Sequence, residues 1–384
     1  MKSIDVYVVT FNCGRERVIP EEFGPALFGV LPQDYQKDAS ATTKAGQGQA
    51  TSSDPKPILE TYPHLLVLSL QELAPIAYSY LGGRFLTHYF DGLREAVTLA
   101  TNGEHVYENA VCENTGMTAI MRRNEDWKKL ARLMVFSNPK SREAGGEETR
   151  GAEEEEAPLL QLPQNTRGLY SPQSYLFVAG DFNYRTASLG PKPDDYDTFP
   201  QPTEDPDSPL HYRHLLSRDQ LTRERTNQRT FHHLTEMPIT FPPTYKIIHF
   251  PEGTPNIVHK AYNWARNRWP SWCDRVLYAD ASVYSGFQGL NPRSYHSLPV
   301  MSTSDHLPVA FLASVALKEI PAPEEGNNYQ PPFDIDATWK DRRAAARRKE
   351  ILSGLLFYLG LTREGNVLFL MMTFILGTLY RILG

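Results

Sequence analysis

Through residues 1 to 316 the chain alternates brief apolar runs with turn-forming residues. Ile4 to Phe11, Leu65 to Leu70, Gly116 to Met121, Tyr175 to Ala179 and Pro308 to Val315 are short, largely apolar segments flanked by polar or turn residues. Runs of that length predict β-strands. A different period begins at Arg122, where Trp127, Leu130, Ala131, Leu133 and Met134 recur at helical spacing. Strands interleaved with helical stretches predict an α/β body.

The last part of the chain is patterned differently. Val367 to Tyr380 carries no charge, and the 18 residues from Val367 to Gly384 reach about 27 Å as a helix, enough to span a bilayer. A second apolar run, Ile351 to Leu361, precedes it. Upstream lie Lys340, Arg342, Arg343, Arg347, Arg348 and Lys349, bases that favour the cytosolic side of a membrane. The expected organisation is a body over 1–316, a proline-bearing linker over 317–339 that tethers rather than packs, and a basic segment with a tail anchor over 340–384. Stretches 37–57 and 138–163, the latter with the acidic run Glu153 to Glu156, read as surface insertions.

Composition narrows the function. With 39 bases against 45 acids the net charge is -6, so no nucleic-acid partner is expected. The three cysteines, Cys13, Cys112 and Cys273, are too few and scattered for a disulfide framework or a zinc cage, which suits a reducing compartment. No obligate protein partner is evident in the sequence.

Several predicted strands end or begin in polar residues of one chemical kind. Asn12 follows the first run, Gln71 and Glu72 the second, and Gly180, Asp181 and Asn183 the run from Tyr175; Ser304, Asp305 and His306 precede the last. Strand ends can gather such side chains at one sheet edge without burying unpaired charge. Glu72 beside the amides of Asn12 and Gln71 supplies hard oxygen donors suited to Mg²⁺. Asp181 with Asn183 offers a base and a donor, and His306 an imidazole that titrates near neutrality. The set suits metal-assisted hydrolysis.

The string Pro270-Ser271-Trp272-Cys273-Asp274-Arg275-Val276-Leu277-Tyr278 is far more specific. With Gly180-Asp181-Phe182-Asn183-Tyr184-Arg185, Pro243-Thr244-Tyr245-Lys246 and Ser304-Asp305-His306-Leu307-Pro308-Val309, it resembles the inositol polyphosphate 5-phosphatases of the endonuclease/exonuclease/phosphatase superfamily. The opening Thr10-Phe11-Asn12-Cys13-Gly14 and the apolar tail are most similar to tail-anchored members that act on phosphatidylinositol 4,5-bisphosphate at the endoplasmic reticulum.

The resemblance implies a four-layered α/β sandwich. It implies Mg²⁺ on Glu72 with Asn12 and Gln71 close by, Asp181 orienting or deprotonating the attacking water, and Asn183 holding the phosphate. Asp274 would pair with His306, which contacts the scissile phosphoryl group, and Asp305 would lie beside the metal. Lys246 and Arg268 would recognise the neighbouring ring phosphate, as cations suit such groups, with Arg275 a possible phosphate contact and Tyr245 also binding the substrate. Cys273 reads as a packed thiol rather than a nucleophile. The implied substrate is a phosphoinositide lipid, reached from an endoplasmic reticulum membrane with the body facing the cytosol.

The chain departs from the resemblance at one seam. The family carries a Gly-Asn-Lys-Gly loop, further strands and a His-Leu motif between the segments matching Gly116 to Met121 and Arg122 to Trp127. Here Met121 runs directly into Arg122. Three readings follow: a phosphoinositide 5-phosphatase, a catalytically inactive membrane-tethered phosphoinositide-binding protein (or a truncated gene model, incorrectly spliced or trimmed), and a nuclease of the same superfamily. The Trp-Cys-Asp-Arg string, the acidic balance and the tail oppose the third.

Overall fold

The computed structural model describes residues 2–35, 61–107, 123–137, 166–248, 262–280, 287–321 and 330–383. The insertions at 37–57 and 138–163, the Gly116 to Met121 run, Cys112 and the Met121/Arg122 seam lie outside them.

β1 (Ser3–Asn12) is apolar on both faces, which is what the middle of a sandwich demands. It runs parallel to β2 (Leu65–Gln71), with Val6 opposite Leu65 and Asn12 opposite Gln71. On its other side it pairs antiparallel with β8 (Val309–Ala316), which in turn pairs with β7 (Leu290–Ser297). A second sheet pairs β5 (Leu176–Asp181) antiparallel with β6 (Asp274–Ala279), and β3 (Val135–Ser137) with β4 (Thr166–Gly168) form a separate small ribbon.

Period-two alternation sorts the core. Val6 and Val8 of β1 and Val309, Phe311 and Ala313 of β8 face the second sheet, where they meet Phe177, Ala179, Trp272 and Val276. Tyr7, Val9, Phe11, Ala310 and Leu312 face outward onto α1 (Pro20–Leu27) and α3 (Thr87–Ala100), reached through the short α2 (Ile76–Leu81). The outer face of β5 and β6, with Val178, Leu277 and Ala279, packs on Trp127 and Ala131 of α4 (Arg123–Leu133) and on Leu221. The chain between β5 and β6 also forms α5 (Arg213–Leu216) and α6 (Gln220–Thr226), which carries Leu221. Helix, sheet, sheet and helix make the four layers expected.

The second sheet is narrow. Among the described residues β5 pairs with β6 alone, and at the far edge of the first sheet Leu65 and Val67 of β2 are 41% and 37% exposed.

At the C-terminal side, α7 (Trp339–Leu361) joins the basic cluster and the first apolar run into one helix, and α8 (Arg363–Leu383) follows after Thr362. By length and composition α8 can cross a membrane, and none of its apolar window is buried. The stretch before α7 packs where the sequence reading made it a free tether. Leu317 donates its N–H to Lys2 O (2.9 Å), Ile320 is buried, Phe333 joins the cluster around Trp127, and Asp336 N–H donates to Arg132 O (2.9 Å). Scattered apolar residues without a period did this, so hydrophobic patterning could not announce it.

Candidate active site

The strand ends meet over the edge of the two sheets, in a cleft of about 400 Å³ lined by Asn12, Glu72, Asp181, Asn183, Asp305 and His306 among others. Register brings this about. Asn12 stands opposite Gln71 in the first sheet and Asp181 opposite Asp274 in the second. Asn12 Nδ2 then donates across the gap to Asp181 Oδ2 at 3.2 Å, while its Oδ1 accepts from Gly14 N–H at 3.0 Å. Gly14 has φ +65°, and a Cβ there would fall 2.8 Å from Thr303 O, so this turn requires glycine.

His306 is the hub. Ser304 Oγ donates to Asn12 O (2.5 Å) and accepts from His306 N–H (3.1 Å), which ties the last loop to the first strand. The imidazole Nδ1 lies 2.8 Å from Asp274 Oδ2, and Nε2 lies 3.9 Å from Asp181 Oδ2 and 3.8 Å from Asp305 Oδ1. Thr244 Oγ1 donates to the same Asp274 oxygen at 2.7 Å and accepts the N–H groups of Cys273 and Asp274. Burial opposes charging of His306, but the carboxylates of Asp274, Asp181 and Asp305 outweigh it and raise its pKa to about 9. Burial and the Asp274 charge push Asp181 above the usual carboxylate range, against the pull of His306, Asn12 and the Asn183 N–H.

Asn183 sits at φ +55°, with its N–H on Asp181 Oδ1 at 2.9 Å. Arg185 then fixes its amide: Nη2 donates to Asn183 Oδ1 at 2.6 Å, which leaves the Nδ2 hydrogens for a ligand. The same guanidinium donates through Nη1 to Cys273 Sγ at 3.1 Å and lies 4.1 Å over the Tyr245 ring, which packs on His306 at a ring-centroid distance of 4.5 Å. Sequence reasoning quoted Arg185 within its motif and gave it no role. Arg15 was also missed. Its Nε lies 2.8 Å from Glu72 Oε2, and its place three residues after Asn12, beyond a glycine turn, is the only signal the sequence offers.

Other expected residues fall outside the cleft. Lys246 Nζ pairs with Asp305 Oδ2 at 2.6 Å on the rim, and Arg268, exposed and bonded to its neighbour's carbonyl, stands near it. Gln71 does not line the cleft: its amide donates to Ser69 O (3.0 Å) and accepts from Thr10 Oγ1 (3.3 Å), facing the second sheet. Arg275 does not line the cleft. Its side chain has no exposed surface and is held by Glu236 at 2.5 and 2.6 Å and by Asp219 at 2.9 Å. Cys273 is buried, and burial keeps its thiol protonated, as a packed residue requires.

Two donor sets compete for a cation. Asp181, Asp274 and His306 bring ligand atoms within 4.8 Å of one another, yet the Asp274 and His306 atoms already bond each other. The carboxylates of Glu72 and Asp305 face the cleft with oxygen donors only, Glu72 paired with the Arg15 guanidinium and Asp305 with Lys246, side chains that can swing away to solvent. Hard oxygens open to solvent on one side suit Mg²⁺ or Ca²⁺ better than a hydrogen-bonded dyad does.

Comparison with known proteins decides the lineage. Residues 113–312 match endonuclease/exonuclease/phosphatase family 2. The chain belongs to this family. Its similar relatives in that family are inositol polyphosphate 5-phosphatases. The type II inositol polyphosphate 5-phosphatase 14 of Arabidopsis thaliana is 32% identical over 171 residues, 43% of this chain and 14% of that protein. The human phosphatidylinositol 3,4,5-trisphosphate 5-phosphatase 1 is 34% identical over 137 residues, 35% of this chain and 10% of that protein. The chain thus matches well under a fifth of either relative's length. Among solved structures, the inositol polyphosphate 5-phosphatase domain of synaptojanin, in complex with inositol (1,4)-bisphosphate and calcium ion, is similar over 91% of this chain and 93% of its own, at 16% identity and a TM-score of 0.44.

Proposed function

We propose that this chain is a divalent-metal-dependent phosphatase that removes the 5-phosphate from phosphatidylinositol 4,5-bisphosphate or a related phosphoinositide. The observation that carries the reading is the line Asp274–His306–Asp181 in a cleft that also holds Glu72 and Asn183. The relatives act, by their names, on inositol phosphates and phosphoinositides.

Glu72 would hold Mg²⁺ with Asp305 beside it, and the ion would supply charge neutralisation to the phosphate. The remaining steps belong to the chain. Asp181, its affinity for a proton raised by burial and by Asp274, takes a proton from a water placed for in-line attack on phosphorus. Asn183 Nδ2 donates to a phosphoryl oxygen, its orientation set by Arg185. His306, charged at neutral pH, faces the phosphoryl group through Nε2 and neutralises charge there while Asp274 holds Nδ1. The new P–O bond forms from water, the bond to the ring oxygen breaks, and that oxygen takes a proton from solvent, to which Asp181 returns the one it accepted.

α8 and the bases before Ile351 favour work at a membrane, which we assign to the endoplasmic reticulum with the body in the cytosol. An appended glycosylation acceptor after Gly384 that becomes modified supports this; a body shielded from protease outside intact microsomes contradicts it. Release of phosphate from phosphatidylinositol 4,5-bisphosphate, abolished by EDTA, tests the activity. The second reading, an inactive phosphoinositide-binding protein, is favoured by the second sheet having two strands and the cleft lining one histidine, His306, among the described residues. Vesicle binding without phosphate release would select it.

A further inference from the structure

α7 packs on the body chiefly along α2, with a lesser contact on α4. Gly354 is buried against α2, and a Cβ there would lie 2.9 Å from Tyr80 Cβ and 3.2 Å from side-chain atoms of Leu81. Arg347 donates from Nη1 to Tyr80 O at 2.8 Å and from Nη2 to Leu81 O at 3.3 Å, covering carbonyls that the end of α2 leaves open. Phe357 stacks on Tyr80 with ring centroids 6.0 Å apart, and Tyr358 meets the edge of Phe85 at 5.7 Å.

Elsewhere on α7, Ile351, Leu352, Leu355 and Leu356 form a stripe, each between 42% and 62% exposed. The stripe starts after Arg347, Arg348 and Lys349 and leads into α8, whose apolar surface is exposed along its length. Cationic turns followed by an exposed apolar stripe, continuous with a helix able to span, fit the interface of a bilayer. α2, the helix that α7 grips, begins at Ile76, four positions after Glu72.

We propose that α7 is a mount: its 351–356 stripe rests on the lipid bilayer while Gly354 and Arg347 lock α2, and with it the cleft, at a set attitude to the headgroups. This rests on the phosphoinositide reading for its substrate. The tail then does more than keep the enzyme near its membrane, because a slack tether would leave the cleft to find the headgroup by rotation.

The test uses the full chain in phosphatidylcholine vesicles carrying phosphatidylinositol 4,5-bisphosphate, with soluble inositol 1,4,5-trisphosphate as a second substrate. Gly354→Leu pushes α7 off α2, and Arg347→Ala removes the two donated bonds. Both variants should stay in the membrane and keep the soluble reaction within about twofold, while the vesicle reaction falls at least about tenfold. Vesicle turnover at the wild-type rate in both variants, or equal loss on both substrates, would overturn the mount. Backbone hydrogen exchange judges it without turnover: Gly354→Leu should speed exchange over 76–81, and unchanged exchange there contradicts the proposal. Protection of 351–356 that follows protein concentration rather than lipid would assign the stripe to a second copy and overturn the bilayer contact. A wild-type chain that cleaves neither substrate removes the phosphatase reading, and the exchange result still decides the mount.

Discussion

The imidazole of His306 is held from behind by Asp274, whose Oδ2 lies 2.8 Å from Nδ1, while Nε2 faces Asp181 at 3.9 Å. The Asp274 carboxylate is fully buried and shares its bonded oxygen with Thr244. Asp274→Asn therefore removes both the partner that keeps His306 charged and the group that fixes its ring. Turnover should drop by about 10²-fold or more, and the alkaline limb of the rate profile should move to lower pH. A pH–rate series on both proteins checks this; an unmoved limb contradicts the pairing.

The same contact links folding to pH. His306 has its pKa raised from 6.5 to about 9, so its contribution is complete below about pH 6.5 and is lost as pH rises through 9. The contribution is at most about 3 kcal/mol. Urea midpoints measured from pH 6 to 10 should fall across that window, and His306→Gln should flatten the fall.

Arg185 acts through Asn183, and a double-mutant cycle separates that from general damage. Arg185→Met should lower turnover by about tenfold or more in the wild type and have little further effect beside Asn183→Ala. Arg185→Lys, which keeps the charge and loses the fork, should recover only part of the rate. Strictly additive losses would show that the two residues work separately.

Arg275 serves stability. Arg275→Met leaves Asp219 buried without a cation and Glu236 with Arg225, 3.9 Å away, as its remaining cation among the described residues, and should cost about 3–5 kcal/mol in chemical denaturation. If that variant folded with wild-type stability and a raised KM, the arginine would be a substrate residue after all.

The four layers and the gathering of strand ends were legible because apolar run length and polar termini are local signals. Asn12, Glu72, Asp181, Asn183, Asp305 and His306 came together as the strand ends required. Gln71 was misplaced because adjacency to Glu72 suggested a shared role, whereas alternation along β2 turns it with Ser69 toward the second sheet. Arg275 was misplaced for the same reason, one position from Asp274 on a strand buried on both faces. Phe333 and Ile320, isolated among prolines and polar residues, bind the supposed tether to the body by contacts that no periodicity marks. Arg185 gains its role only when the chain brings Asn183, Cys273 and Tyr245 around it.

In the proposed reaction Asp181 and His306 act on a phosphate at a metal-dependent site. The direct measurement is phosphate release from phosphatidylinositol 4,5-bisphosphate by the full chain with Mg²⁺, with EDTA, and with Asp181→Asn. Release is expected with Mg²⁺, none with EDTA, and at least about a 10²-fold loss in the variant. Undiminished release in EDTA or from Asp181→Asn, or no release from the wild type, would contradict it.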